Sequence, residues 1–224
     1  MLHKLKNSPL FSGMTEEDIS DCLQCSKSDI VSYKKDEMVF YQKDAPTHLL
    51  VLVEGAVVIC NDTTAGKRSI VATFSQGGEL FGEVFVFLKR REYDHYAQAV
   101  TPAKVLRIPK EFLFHTCGES CGHHERLISN MLMILAQKAY FLNHKVQILS
   151  CASLRQKIAK VLLKSCGPDG KVMLSMNREE LADFLNTARP SLSRELMNMQ
   201  EDGLIRIQKR DIYIVDFDEL QNFI

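Results

Sequence analysis

Two groups of side chains in this sequence are of kinds that do chemistry. Cys117, Cys121, His123 and His124 put two thiols and two imidazoles within eight residues, donors suited to zinc or a redox-active metal. Their spacing matches no established zinc motif, so a purely structural role for these four stands beside the metal reading. Cys22 and Cys25 are a poorer pair, because Cys22 shares a helical face with Ile19 and Leu23, as a buried thiol does. The second group is cationic and hydroxylic. Arg189, Ser191, Ser193 and Arg194 lie close together, and Lys209 and Arg210 follow within "QKRD". Arginine pairs bidentately with guanine, serine donates to phosphate or base, and a lysine–arginine tip suits backbone phosphate. No catalytic constellation stands out. A cupin-like barrel enzyme would need a histidine triad, and His48 and His95 lie far apart with no paired histidine beside them.

The elements that must position the cationic group turn on one proline. In "NREELADFLNTARPSLSRELMNMQ", both flanks of Pro190 are helical in character. Proline fits the first turn of a helix, where its missing N–H has no partner to lose, and it pushes the preceding residue away from α conformation. Pro190 therefore ends one helix and begins the next, with Asn186–Thr187–Ala188 as the turn. The second helix carries Arg189, Ser191, Ser193 and Arg194 near its N-terminal end, where recognition helices meet base edges. Gly203 stops it, and "LIRI" and "IYIV" form a hairpin with Lys209 and Arg210 at the tip. The whole reads as a winged helix-turn-helix, with a plain helical hairpin as the alternative.

Ahead of it, residues 29 to about 109 alternate β-rich runs ("EMVFY", "HLLVLVEGAVVIC", "RSIVATF", "YAQAV", "KVLRIP") with turn signals, including Ala65–Gly66 and Thr101–Pro102. That spacing predicts a sandwich or rolled barrel. "MTEEDISDCL" predicts a short packing helix capped by Thr15 with Asp18. From Glu125 to Leu149, Ile128, Leu132, Leu135, Ala139, Leu142, Val146 and Leu149 recur at alternating spacings of four and three, an a/d seam. Leu127, Met131, Ile134, Phe141 and Ile148 make a second stripe beside it. So much apolar circumference calls for two partners, the β domain and a second copy of the helix; burial in one monomeric core is the alternative.

Bulk properties set the frame. The 224 residues are 46% apolar and 25% charged, as in ordinary soluble domains. No apolar run approaches the roughly 18 residues of a membrane span, and the N-terminus has no signal-peptide core, so a cytoplasmic protein is expected. Seven cysteines, an odd number, fit thiols or ligands better than a disulfide framework. Net charge is zero, with 17 basic and 17 acidic residues in 1–150 and 11 of each in 151–224. DNA binding must then rest on local placement of charge.

Taken in order, these segments resemble the cyclic AMP receptor protein/FNR (Crp/Fnr) family of bacterial transcription regulators over nearly the whole length. "VEGAV" resembles the glycine turn of the family's β-roll, and "GGELFGEVFVF" the start of its phosphate-binding cassette. The seam helix sits where the family places its dimerisation helix. The resemblance implies an α+β chain: a cyclic-nucleotide-binding-like β-roll (1–124), a dimerisation helix (125–150) and a winged helix-turn-helix (151–224). It implies a homodimer on a near-palindromic double-stranded DNA site, working with RNA polymerase and controlled by a small molecule, without catalysis or membrane.

The cassette departs from the cyclic-nucleotide-binding pattern. Tyr93, Asp94 and His95 stand where those members carry Arg-Ser/Thr-Ala, and Asp94 would repel a phosphate. Lys89, Arg90 and Arg91 are nearby but read as an exposed turn. Leu142 and Asn143 fall where the cyclic AMP receptor has its adenine-contacting hydroxyls. An effector other than a cyclic nucleotide is therefore expected, in a pocket formed by Gly82, Glu83, Val84, Phe85, Tyr93, Asp94, Leu142 and Asn143, with Gly82 and Glu83 kept for the fold. Pro190 replaces a base-reading glutamate, so the family's standard half-sites are not assumed. A metal, haem or iron–sulfur sensor on the same scaffold is the alternative.

Overall fold

The computed structural model describes residues 2–62, 68–88, 90–114 and 122–224. The chain divides into two compact units, residues 1–136 and 137–224.

In the first unit, α1 (Leu2–Lys6), a 3-10 turn at Pro9–Phe11 and α2 (Glu16–Cys25) precede the strands β1 (Asp29–Tyr33), β2 (Met38–Phe40), β3 (His48–Glu54), β4 (Val57–Asp62), β5 (Arg68–Phe74) and β6 (Leu80–Phe81). Then come α3 (Glu83–Phe87), β7 (Tyr96–Ala99), β8 (Ala103–Pro109), α4 (Lys110–Phe114) and the start of α5 (Gly122–Leu149). The strands form two antiparallel four-stranded sheets, ordered β1-β8-β3-β6 and β2-β7-β4-β5.

The continuous apolar run of β3 reflects burial on both faces, since successive side chains of a strand point to opposite sides. Leu50 and Leu52 join Val57, Phe81, Ala97 and Val105 between the sheets. Leu49, Val51 and Val53 face the other way, into a second cluster with Leu10, Phe11, Ile19, Leu127 and Met131. Thr15 caps α2 with both hydrogen bonds of a capping box to Asp18, and Cys22 is buried on that helix as expected. The β3–β4 turn needs glycine: Gly55 has φ +86°, and a Cβ there would lie 2.2 Å from the Pro102 carbonyl oxygen.

In the second unit, the end of α5 is followed by α6 (Leu154–Lys164), β9 (Lys171–Val172), α7 (Arg178–Phe184), α8 (Arg189–Glu201), β10 (Ile205–Gln208), β11 (Asp211–Ile214) and α9 (Phe217–Gln221). β11 pairs with β10 in a hairpin and with β9 on its other side. The core gathers Ile158, Leu162, Leu181, Leu192, Leu196 and Met199 among others.

The two stripes of α5 part company. Leu127, Met131, Ile134 and Ile148 are buried within the chain's own units. Phe141, read with them, is instead exposed, with its ring 6.1 Å from that of Phe184. Along the seam, Leu132, Leu142 and Val146 are 63%, 58% and 61% exposed, while Ile128 and Leu135 pack partly against the first unit's core. Among the described residues, no helix is long and apolar enough to cross a membrane.

Candidate nucleic-acid interface

Asn177 opens α7: its side chain accepts from the N–H groups of Glu179 and Glu180, and the Glu180 carboxylate accepts from its N–H at 2.7 Å. The helix ends at Phe184 with Leu185 as its C-cap, and Asn186 takes a left-handed φ of 51°, a conformation asparagine tolerates better than most residues. Ala188 is the extended N-cap of α8, so that helix starts at Arg189, one residue earlier than expected. The physical reason is that Pro190 still lies in the first turn, and the extended residue ahead of the helix is Ala188 rather than Arg189. Leu192, Leu196 and Met199 turn inward at spacings of four and three. That leaves Arg189, Ser193 and Arg194 exposed, with Ser191 half-buried beside them.

Lys209 and Arg210 are the two residues between β10 and β11, both exposed, and Lys209 has a positive φ of 56°. This tip and the starts of α7 and α8 border one open groove of about 660 Å³. Arg178, Arg189, Lys209 and Arg210 all line it, over an apolar floor that includes Val172, Leu181 and Ile212. Arg178 was not singled out in the sequence; its position directly after the Asn177 cap was the available signal. Its Nη1 is buried and finds no hydrogen-bond partner among the described residues, and burial lowers its pKa from the usual arginine value. A buried guanidinium N–H without an acceptor is costly, and an incoming phosphate oxygen would relieve it.

In the roll, Gly82 has φ +74° and caps α3, Glu83 is buried in the first turn, Val84 is exposed and Phe85 is half-buried. Tyr93 is 4% exposed, stacked on Phe40 at 3.8 Å between ring centroids and edge-on to Phe85 at 5.1 Å. Asp94 is exposed, and its carbonyl accepts from Gln42 Nε2 at 3.2 Å. Arg90 and Arg91 are exposed, whereas Lys89 lies outside the described residues. Leu142 and Asn143 belong to the second unit and are exposed on α5.

Burial, with the Asp44 carboxylate adding to it, pushes the Tyr93 phenol up to about 12 from 10.0. The folded protein therefore holds this proton more tightly than the unfolded chain does. The associated stability is complete below pH 10 and is lost as pH rises towards 12, amounting to about 2–3 kcal/mol. Tyr93→Phe is expected to remove that part of alkaline destabilisation in urea unfolding followed from pH 9 to 12.

Of the metal-type residues, Cys117 and Cys121 lie outside the described residues. His123 is flanked by two carboxylates of α2, with Nδ1 3.3 Å from Asp18 Oδ1 and Nε2 4.0 Å from Asp21 Oδ2. His124 is buried and stacked on Phe112 at 4.2 Å. Among the described residues, no group of three or more His, Cys, Asp or Glu could hold a metal ion.

Known proteins share both halves of this arrangement. Residues 30–120 match the cyclic nucleotide-binding domain, and residues 156–223 match the Crp-like helix-turn-helix domain. The chain is 26% identical over 203 residues to the cyclic AMP receptor protein of Thermus thermophilus, spanning 91% of this chain and 90% of that one. It is 24% identical over 179 residues to the global nitrogen regulator of Synechococcus elongatus, spanning 76% of this chain and 78% of that one. Its fold is similar to that of the Thermus thermophilus catabolite activator protein, with a TM-score of 0.53 at 24% identity over 96% of this chain and 98% of that one. With a β-roll followed by a helix-turn-helix in the matching order, the chain belongs to the Crp/Fnr family of transcription regulators.

Proposed function

We propose that this regulator acts as a homodimer that reads near-palindromic duplex DNA through α8, under the control of a small molecule other than a cyclic nucleotide. The observation that carries the DNA reading is the groove where Arg178, Arg189, Lys209 and Arg210 converge, in a chain with no net charge. A neutral protein that brings four cations together from the starts of α7 and α8 and the wing tip, against the two carboxylates Glu179 and Asp211 in the same lining, has placed an excess of positive charge where a phosphate backbone would run. Arg194 and Ser193 then face base edges, with Arg189 and Ser191 at the entry to the groove, and Lys209 and Arg210 hold phosphate. Two such surfaces are brought to one duplex by the exposed face of α5, where Leu132, Leu142 and Val146 await a second copy. The resulting dimer recruits or blocks RNA polymerase in the cytoplasm and carries out no catalysis.

The effector reading rests on Tyr93. A neutral, buried ring stacked on Phe40 gives a phosphate no countercharge, and the exposed Asp94 beside it adds repulsion. The roll thus suits an apolar or aromatic ligand with one hydrogen-bonding end. A ligand at 100 times its Kd stabilises its protein by about 2.7 kcal/mol. Millimolar cyclic AMP or cyclic GMP is expected to leave the melting temperature unchanged, and a clear rise with either would overturn this assignment.

Paired substitutions test the DNA reading. Arg194→Ala is expected to cost about 1–3 kcal/mol on the cognate site and to relax the preference at one base pair. Lys209→Ala should weaken binding to every sequence and reduce the salt slope by about 0.9. Equal, sequence-independent losses from both would make Arg194 a phosphate contact only.

A further inference from the structure

Arg155, in the first turn of α6, does more than pack. Its Nε donates to Glu195 Oε1 at 2.6 Å and its Nη1 to Asp202 Oδ2 at 2.7 Å. Its guanidinium also lies 5.5 Å over the ring of Phe223. Both carboxylates belong to α8: Glu195 directly follows Arg194, and Asp202 is the C-cap. The Arg155–Glu195 pair is well shielded, with side chains 24% and 21% exposed, and the hydrogen bond that Arg155 donates to Glu195 raises the arginine pKa.

The apolar stripe of Leu192, Leu196 and Met199 holds α8 onto its domain. Apolar contact is non-directional, so it resists lifting the helix more than turning or sliding it. Glu195 and Asp202 are seven residues apart, about 10 Å along a helix axis. One planar guanidinium gripping both sets rotation and axial position together, which an ammonium cannot do as well. Rotation matters here: with side chains reaching about 6 Å from the axis, a turn of about 10° moves a tip by about 1 Å. A displacement of that size exceeds what a bidentate base contact tolerates.

We propose that Arg155 is a positioning residue for DNA reading, setting the rotation and axial position of α8 and thereby where Arg194 meets the base edges. This rests on α8 being the recognition helix, and the test separates the two ideas. Wild-type protein, Arg155→Met and Arg155→Lys are titrated with a duplex that the wild type selects from a random pool, and with an unselected duplex. Thermal unfolding of each protein is followed in parallel. Arg155→Met is expected to lose about tenfold or more on the selected duplex. Its affinity for the unselected duplex should stay within about twofold, because the phosphate contacts of the wing come from a separate element. The preference at the base pair read by Arg194 should flatten, and Arg155→Lys, able to hold one carboxylate, should recover part of the loss. A purely fold-supporting role would lower the melting temperature and leave the ratio of the two affinities at the wild-type value; that result overturns the proposal. If Arg155→Met does not fold, an unchanged ratio in Arg155→Lys overturns it equally. Should the wild type select no sequence at all, the recognition-helix reading falls, and this proposal falls with it.

Discussion

Leu142→Glu is expected to separate the proposed dimer into monomers while leaving each chain folded. Leu142 is 58% exposed on α5 and the helix carries Leu132 and Val146 on the same seam, so within one chain the leucine supports little of the core. A surface substitution of this kind changes folding stability by about 0.5 kcal/mol or less. Across a two-fold axis the same change places two unpaired carboxylates in an apolar contact, at a cost of about 3–5 kcal/mol. The dimer Kd should therefore rise at least about 100-fold. Leu135 is a poorer probe, because it packs partly on the first unit's core and its replacement would disturb folding as well. Sedimentation of both proteins at micromolar concentration, with urea unfolding alongside, reads the two effects separately. A monomeric wild type would remove the proposed pairing.

Gly55→Ala is expected to be the most damaging single-methyl change in the first unit. The added Cβ would lie 2.2 Å from Pro102 O, 2.7 Å from Ala103 Cα and 2.9 Å from Ala103 Cβ, at a φ of +86°. The first two of these are backbone atoms, held where Val100 N–H donates to Ala56 O at 2.9 Å and Ala56 N–H to Thr101 Oγ1 at 2.9 Å. No side-chain rotation relieves the overlap, so β3–β4 and the start of β8 must part. A loss above about 4 kcal/mol is expected in urea unfolding, the range reserved for changes with a specific steric cause. Gly13→Ala is the control: its φ is +72° but nothing lies within 4 Å of the new methyl. It should cost about 1–2 kcal/mol, from backbone conformation alone. Equal losses at both glycines would show that the β3–β4 turn can relax.

Local physics made much of this chain legible before its fold was known. The capping box at Thr15, the helix opening around Pro190 and the hairpin around Lys209–Arg210 all depend on residues a few positions apart. The five β-rich runs became strands for the same reason. The two-residue strands β6 and β9 and the short helices α3, α4 and α9 left too little periodicity to read. Long-range contacts were invisible. Tyr93 meets Phe40 only because β2 pairs with β7 and the chain before β7 folds back over it. Arg155 meets Glu195 and Asp202 across 40 and 47 residues, and nothing near Arg155 in the sequence announces either partner. The two apolar stripes of α5 were evident, but which one the chain keeps for itself depended on where the remaining core lay. Arg178 stands in a first turn with Glu179 and Glu180 and has no cation near it in sequence; only the groove brings it together with Arg189, Lys209 and Arg210.

If two chains read one two-fold site through α8, the sequences that wild-type protein enriches from a pool of random duplexes report it most directly. The enrichment is run with and without candidate small-molecule effectors, and the mass of the bound complex is taken on the enriched duplex. The expected product is an inverted repeat with half-site centres about 10 base pairs apart, or a multiple of that, carrying two chains per duplex. No enrichment under any condition, or a single unrepeated element bound by one chain, would contradict it.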